Sequence, residues 1–223
     1  KHYYCNNLEY NRFEQSSEVD ERTLREIYLK PFELAAKAKP VSAMCAYNRI
    51  NGVYASENKK GFRILREEFG FDGAIYSDWE AVRDRTAACK AGLDIEFPFN
   101  QKNYEKLVAD YHAGLLSDEE LDVCASRVLD LVYRIQEMKG KRQIRRTQAE
   151  RRALARQLAE ESIALLKNDG ALPLEKGGSV AVCGEYASPK RCSLFAGGGS
   201  SMVRNDEHFF DLAALLHERT GAE

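Results

Sequence analysis

The chain has 223 residues, 44% of them hydrophobic, which is enough apolar material to build a core. Its 33 basic and 35 acidic residues leave a formal net charge of −2, so nothing at the level of the whole chain draws it to nucleic acid or an anionic membrane. No apolar run reaches the roughly 18 residues needed to span a bilayer, the opening KHYYCNN lacks the features of a signal peptide, and the chain reads as soluble. Six cysteines (Cys5, Cys45, Cys89, Cys124, Cys183, Cys192) form no CxxC pair and no tight cluster. That spacing argues against a disulfide scaffold or a zinc knuckle and for reduced core thiols in a cytoplasmic protein.

The first residues, without an initiator Met, read as the end of an element, and a preceding segment is expected. Ser17 and Asp20 then open a helical pattern with Leu24, Ile27, Tyr28 and Pro31 on one face, kinked at Pro31. Residues 41–46 form a short apolar strand ending at Tyr47 and Asn48, with the turn dipeptide Asn51-Gly52 just beyond. Ser56 is placed to cap a helix carrying Phe62, Leu65 and Phe69, which Gly70 stops. GFDGAIYSDWEA, residues 70–81, is the next strand and ends on Ser77, Asp78 and Trp79. A helix over about residues 80–91 stops at Gly92, LDIEF gives a further strand, and a helix follows with Tyr104, Leu107, Val108 and Tyr111. Ser117 and Glu120 form a capping box for a long helix containing Leu121, Cys124, Val128, Leu131 and Ile135.

Strands alternating with helices at this spacing predict a parallel sheet, with chemistry beyond the carboxyl ends of the strands. Those ends carry Lys1 and His2, Met44 to Asn48, Ser77 to Trp79, and Glu96. Four strand ends are half of what a closed (β/α)₈ barrel of roughly 250 residues provides. The stretch KGKRQIRRTQAERRALAR, residues 139–156, holds eight basic residues and one acidic. It has no aromatic residue to stack on bases, Thr147 and Glu150 form a capping box, and Leu154 and Leu158 share a helix face. Residues 139–146 therefore read as a basic linker into a solvated helix. A buried strand at 179–183, the segment FAGGGSSMV and a helix from about Asp206 to Thr220 begin a second α/β domain. AGGGSS lacks the Lys of a phosphate loop. His112, His208 and His217 have no partner at ligand spacing, so no metal site is assigned.

The motifs KHYYCNNLEYNR, VDERTLREIYLKPFE, MCAYNRINGVYASEN, FGFDGAIYSDWEAV, AGLDIEFP, AEESIALLKNDGALPL and GGGSS, in this order, resemble the β-glucosidase branch of glycoside hydrolase family 3. The KHYYCNN segment differs from the KHFPGHG-like segment of the single-domain β-N-acetylglucosaminidases. The resemblance implies that residues 1–138 are the C-terminal half of a (β/α)₈ TIM-type barrel and that 147–223 begin an αβα sandwich domain. It implies a retaining glycosidase acting on terminal β-linked glucose or a similar sugar such as xylose, with no cofactor and no metal. By the same resemblance Asp78 of SDW is the nucleophile, and Trp79 lies beside it. Lys1 and His2 match a Lys-His pair that hydrogen-bonds the sugar. Arg12 matches the Arg of NNxExxR, Met44 and Tyr47 match MxxYN, and Ser200, with Ser201 as an equal alternative, matches a sugar-contacting Ser.

The chemistry suits those residue types. An ionised carboxylate attacks the anomeric carbon, a glycosyl ester forms, and a second carboxyl group about 5 to 5.5 Å away protonates the leaving oxygen. Lys1 and Arg12 are expected to stabilise the Asp78 anion and hold sugar hydroxyls, and Trp79 offers a flat apolar wall. The resemblance places the acid/base Glu beyond residue 223, and Glu96 is read as a structural hydrogen-bonding group. Taken alone, Asp78 would be the N-cap of the helix after it, Arg12 a surface ion-pair former, and Met44 and Tyr47 core residues. The partners expected are a carbohydrate substrate and the remainder of the polypeptide or a partner chain to complete the barrel, with a homo-oligomer left open. The rival class is a catalytically silent truncated fragment that needs a partner chain and at most binds sugar.

Overall fold

The computed structural model describes residues 1–139, 146–184, 187 and 212–221. It divides into two compact units, Lys1–Ile144 and Arg145–Glu223.

In the first unit the chain runs through β1 (Ser16–Ser17), α1 (Glu21–Thr23), a π turn (Leu24–Tyr28) and α2 (Lys30–Ala36). It continues through β2 (Ser42–Met44), the hairpin β3 (Arg49–Ile50) and β4 (Val53–Tyr54), α3 (Lys59–Arg63), a second π turn (Ile64–Glu68) and β5 (Ala74–Tyr76). Three further helices close the unit: α4 (Arg85–Ala91), α5 (Gln101–His112) and α6 (Asp118–Met138).

Four extended segments lie side by side in chain order and all run parallel. β2 pairs with β5 in the register Ser42↔Ala74, Ala43↔Ile75 and Met44↔Tyr76. On one side Tyr3 bridges to Cys45, on the other Tyr76 bridges to Ile95. The ladder continues past the strand ends, with Tyr3 N–H donating to Met44 O (2.7 Å), Cys45 N–H to Tyr76 O (2.9 Å) and Ser77 N–H to Ile95 O (2.9 Å). Parallel neighbours need long crossover connections, and the helices supply them. The core lies between the two, with Tyr3, Leu29, Cys45, Phe62, Ile75 and Leu93 almost wholly buried. A separate small sheet, β1–β3–β4, carries the Asn51-Gly52 turn, both of whose residues adopt positive φ (49° and 85°) as a two-residue hairpin requires.

Several sequence expectations are corrected here. Ser16–Ser17 is a strand, and the first helix begins at Glu21, with Asp20 accepting from Thr23 N–H as its cap. The buried face reads Leu24 and Leu29, not Leu24, Ile27 and Pro31, and Ile27 is 60% exposed. The cause is the π turn: Leu29 N–H donates to Leu24 O, five residues back, which rotates the inward face by one residue. Pro31 stands in the first turn of α2, where its missing N–H costs nothing, rather than kinking a continuous helix. The cap of α3 is Asn58, accepting from Gly61 N–H, while Ser56 is buried and donates to Ala81 O. α4 starts at Arg85 instead of about residue 80. LDIEF contributes one bridge rather than a strand, and Gly92 (φ 109°) ends α4 as read.

In the second unit α7 (Gln148–Glu161) has the Thr147/Glu150 capping box, although Leu158 is exposed. Among the described residues no strand pairs with 179–183, where Val180 and Val182 are half-buried. Alternation supplies a face, whereas a strand needs a partner for its N–H and C=O groups. The helix α8 (Leu212–Thr220) falls within the last helix read from the sequence, and residues 206–211 lie outside the described residues. No described helix is long and apolar enough to cross a membrane.

Gly73, just before β5, packs so closely on β2 that a Cβ there would overlap the carbonyl oxygen of Val41. That oxygen accepts from Ala74 N–H at 3.1 Å and cannot retreat without opening the ladder. Gly73→Ala is expected to cost about 1–3 kcal/mol, seen as a lower denaturation midpoint, whereas Gly70→Asn (φ 71°, open space around it) stays near wild type.

Candidate active site

The carboxyl end of β5 is pinned before it reaches Asp78. Ser77 is fully buried, and its hydroxyl accepts from Phe97 N–H (2.8 Å) and donates to Phe97 O (3.2 Å). The next side chain, Asp78, is 13% exposed and has two hydrogen-bond donors and the His2 imidazole as direct partners. Tyr47 O–H (2.9 Å) and Trp79 N–H (2.7 Å) reach Oδ1, and His2 Nε2 lies 3.2 Å from Oδ2. The chain leaves through Glu80, a left-handed residue (φ 64°) whose N–H donates to Phe97 O at 2.8 Å.

Tyr47 sits just past β2 and His2 just before the Tyr3 bridge, so three neighbouring parallel segments deliver the carboxylate and two of its partners to one place. Burial lowers the His2 imidazole from its ordinary range despite the attraction of Asp78. Burial first, and then the bond to Asp78, pushes the Tyr47 phenol up to about 12, which keeps it a donor. A cap role for Asp78 does not fit, because α4 begins seven residues later and Asp84 caps it, accepting from Ala87 N–H at 2.9 Å.

Trp79 is 57% exposed. An indole in that state beside a carboxylate can stack on the apolar face of a pyranose ring. Arg12 reaches the site through Tyr47, its guanidinium 4.3 Å from the ring centroid, and its carboxylate partner is Glu9 at 2.6 Å. The hydrogen bond to Glu9 is the main reason its pKa rises, with Asp78 a lesser one. Lys1 and Met44 line a cavity of about 130 Å³ with Tyr3 and Phe32, and Asp78 is not part of its wall. The direct partners of the carboxylate are thus Tyr47, Trp79 and His2 rather than the cations Lys1 and Arg12. Ser200 and Ser201 lie outside the described residues. Glu96 accepts from Asn103 Nδ2 (2.6 Å) and faces Arg85 (3.9 Å), with burial raising its pKa, which suits the structural role read for it.

Two residues beside the site escaped the sequence reading. Phe13 packs edge-on against Tyr47 (centroids 4.7 Å apart), and Arg83 lies 5.6 Å over both Phe13 and Tyr54 and donates to Phe13 O. They back the tyrosine that holds Asp78. Only the adjacency of Phe13 to Arg12 in NRF hinted at this. Among the described residues no cluster of three His, Cys, Asp or Glu is placed to hold a metal ion.

Residues 9–131 match the family described as Glycosyl hydrolase family 3 N terminal domain. The chain is 42% identical over 207 residues to thermostable beta-glucosidase B of Acetivibrio thermocellus, covering 91% of this chain and 27% of that protein. It is 38% identical over 215 residues to the exo-α-(1→6)-L-arabinopyranosidase of Bifidobacterium longum, covering 91% and 28%. Among solved structures, beta-glucosidase 3B from Thermotoga neapolitana in complex with glucose superposes with a TM-score of 0.81 at 33% identity, covering 100% of this chain and 32% of that one. The beta-glucosidase from Kluyveromyces marxianus in complex with glucose gives 0.81 at 35%, covering 100% and 28%. The chain therefore spans little more than a quarter of the curated relatives it matches. With more than half of its residues matched to the family's N-terminal domain, this chain belongs to glycosyl hydrolase family 3.

Proposed function

We propose that the protein containing this segment is a retaining glycosidase that releases terminal β-linked glucose, or a similar sugar, from oligosaccharides or glycosides. The observation that carries the reading is the Asp78 carboxylate at the carboxyl end of β5, held by two hydrogen bonds with the His2 imidazole 3.2 Å from its other oxygen, beside an exposed indole. A carboxylate held this way has its attacking oxygen fixed before substrate arrives, the condition for forming a glycosyl ester. His2 and Tyr47 have hydroxyl-binding atoms within reach of the same place, and Trp79 supplies the flat wall. The names of the relatives support the substrate class.

The four parallel segments in chain order support reading residues 1–138 as the C-terminal half of a (β/α)₈ barrel. Residues 147–223 would begin the sandwich domain. The acid/base carboxyl group comes, in this reading, from sequence outside these 223 residues. The full-length protein is expected to hydrolyse an aryl β-D-glucopyranoside with β-glucose as the first product seen by proton NMR. α-Glucose as first product would overturn the retaining mechanism. Faster release from an α-L-arabinopyranoside would move the substrate class, and no release from either would favour a silent sugar-binding protein.

A further inference from the structure

Away from the candidate site, Cys89 on α4 and Cys124 on α6 face each other with their sulfurs 3.5 Å apart, although 35 residues separate them in sequence. Both are buried, and they form a small cluster with Leu116. A cavity of about 350 Å³ opens onto them, its wall shared with Phe62, Lys90, Glu120 and Arg127. Other polar contacts of the two sulfurs are weak: Cys124 faces Leu93 O at 3.7 Å and Cys89 O at 3.9 Å, and Cys89 faces Glu120 O at 4.0 Å. No strong hydrogen bond holds either thiol in place.

We propose that Cys89 and Cys124 are a reversible oxidation site, closed to a disulfide by a small peroxide that enters through this cavity. A disulfide needs sulfurs about 2.04 Å apart, so closure asks for an approach of roughly 1.5 Å between two helices that already touch. Cys89 is the attacking group: the hydrogen bond from the Cys124 thiol, followed by the charge of Arg85, lowers its pKa and favours the thiolate. The Cys89 thiolate attacks one peroxide oxygen, the O–O bond breaks, and the departing hydroxide takes up a proton as water, leaving a sulfenic acid. The Cys124 sulfur then attacks Cys89 Sγ, the S–O bond breaks, and the hydroxyl leaves as a second water. Two thiols are oxidised by two electrons in total, and one peroxide is reduced to two waters. The cross-link ties α4 to α6.

Treating the full-length protein with hydrogen peroxide, alkylating the remaining thiols and mapping peptides by mass spectrometry tests the assignment. The expected product is one linked pair containing Cys89 and Cys124, two hydrogens lighter, reversed by dithiothreitol and lost when peroxide is added in denaturant. In Cys124→Ser the reaction stops at the sulfenic acid, and dimedone labels Cys89. The assignment is overturned if both thiols are still alkylated at a peroxide dose that oxidises the exposed Cys183. It is equally overturned if the native cross-link joins any other pair. The wild-type mapping decides the matter even where the serine variant fails to fold.

Discussion

Asp78→Asn in the full-length protein is expected to lower kcat by several orders of magnitude while glucose still binds within a few-fold of wild type. The substitution is nearly isosteric, and its carbonyl oxygen can still accept from Tyr47 O–H and Trp79 N–H, the two donors now on Oδ1. What is lost is the negative charge that attacks the anomeric carbon, an interaction made only on the way to the glycosyl ester. Asp78→Glu should fail nearly as badly, because the added methylene moves the attacking oxygen well beyond the roughly 0.5 Å that such placement tolerates. A slow 2-fluoro glycoside, whose ester hydrolyses poorly, should leave one sugar on the peptide containing Asp78. A sugar mapped to Glu96, or to no residue, removes Asp78 from this role. Stability separates catalysis from architecture here: because Asp84 and not Asp78 caps α4, Asp84→Ala should cost about 0.5–2 kcal/mol, and Asp78→Asn should leave the denaturation midpoint almost unmoved.

What could be read from the residues alone was whatever is settled within a few positions along the chain. Both capping boxes, Ser117 with Glu120 and Thr147 with Glu150, close on groups three residues apart and were legible. So was the Asn51-Gly52 hairpin, whose backbone few other dipeptides adopt. The π turns were not, since a helix tightens or loosens by one residue according to what it packs against, and a 3.6-residue pattern then marks the wrong face. The start of α4 was misplaced because residues 78–84 pass the site in an irregular path, held by Phe97 and Glu57, both distant in sequence from it. At the site, His2, Tyr47, Trp79 and Asp78 came from motif resemblance, and their convergence rests on the parallel register of three segments. Phe13 and Arg83, 70 residues apart, meet only in the folded chain. Lys1 and Arg12 came from the same resemblance and were expected to stabilise the Asp78 anion, yet the folded chain gives Asp78 a phenol, a backbone amide and an imidazole as direct partners instead.

Asp94, which charge patterns also passed over, should prove the most costly single residue to truncate. Its side chain is wholly buried, and it accepts from Ile75 N–H at 2.7 Å and from Arg66 at 2.8 Å, with Arg127 3.3 Å away. Arg66 in turn donates to Gly73 O (2.9 Å), so one carboxylate ties β5, the turn before it and α6 together. Burial already pushes the Arg66 guanidinium down, and Asp94 is the principal charge opposing that. Asp94→Ala leaves a largely buried guanidinium without its counter-ion and the Ile75 N–H without its acceptor, at an expected cost of about 3–5 kcal/mol. Asp94→Asn, which keeps an acceptor for Ile75, should lose less. Adding Arg66→Met to Asp94→Ala should recover part of the loss, because the stranded charge is then gone. Ile75 lies three residues before Asp78, so activity should fall with the fold: Asp94→Ala loses turnover at temperatures where wild type is intact and regains much of it on cooling. Denaturation midpoints of the three variants, measured with initial rates at two temperatures, check this. A midpoint for Asp94→Ala within about 1 kcal/mol of wild type would mean that the two arginines find other partners and that the carboxylate is not what fixes the end of β5.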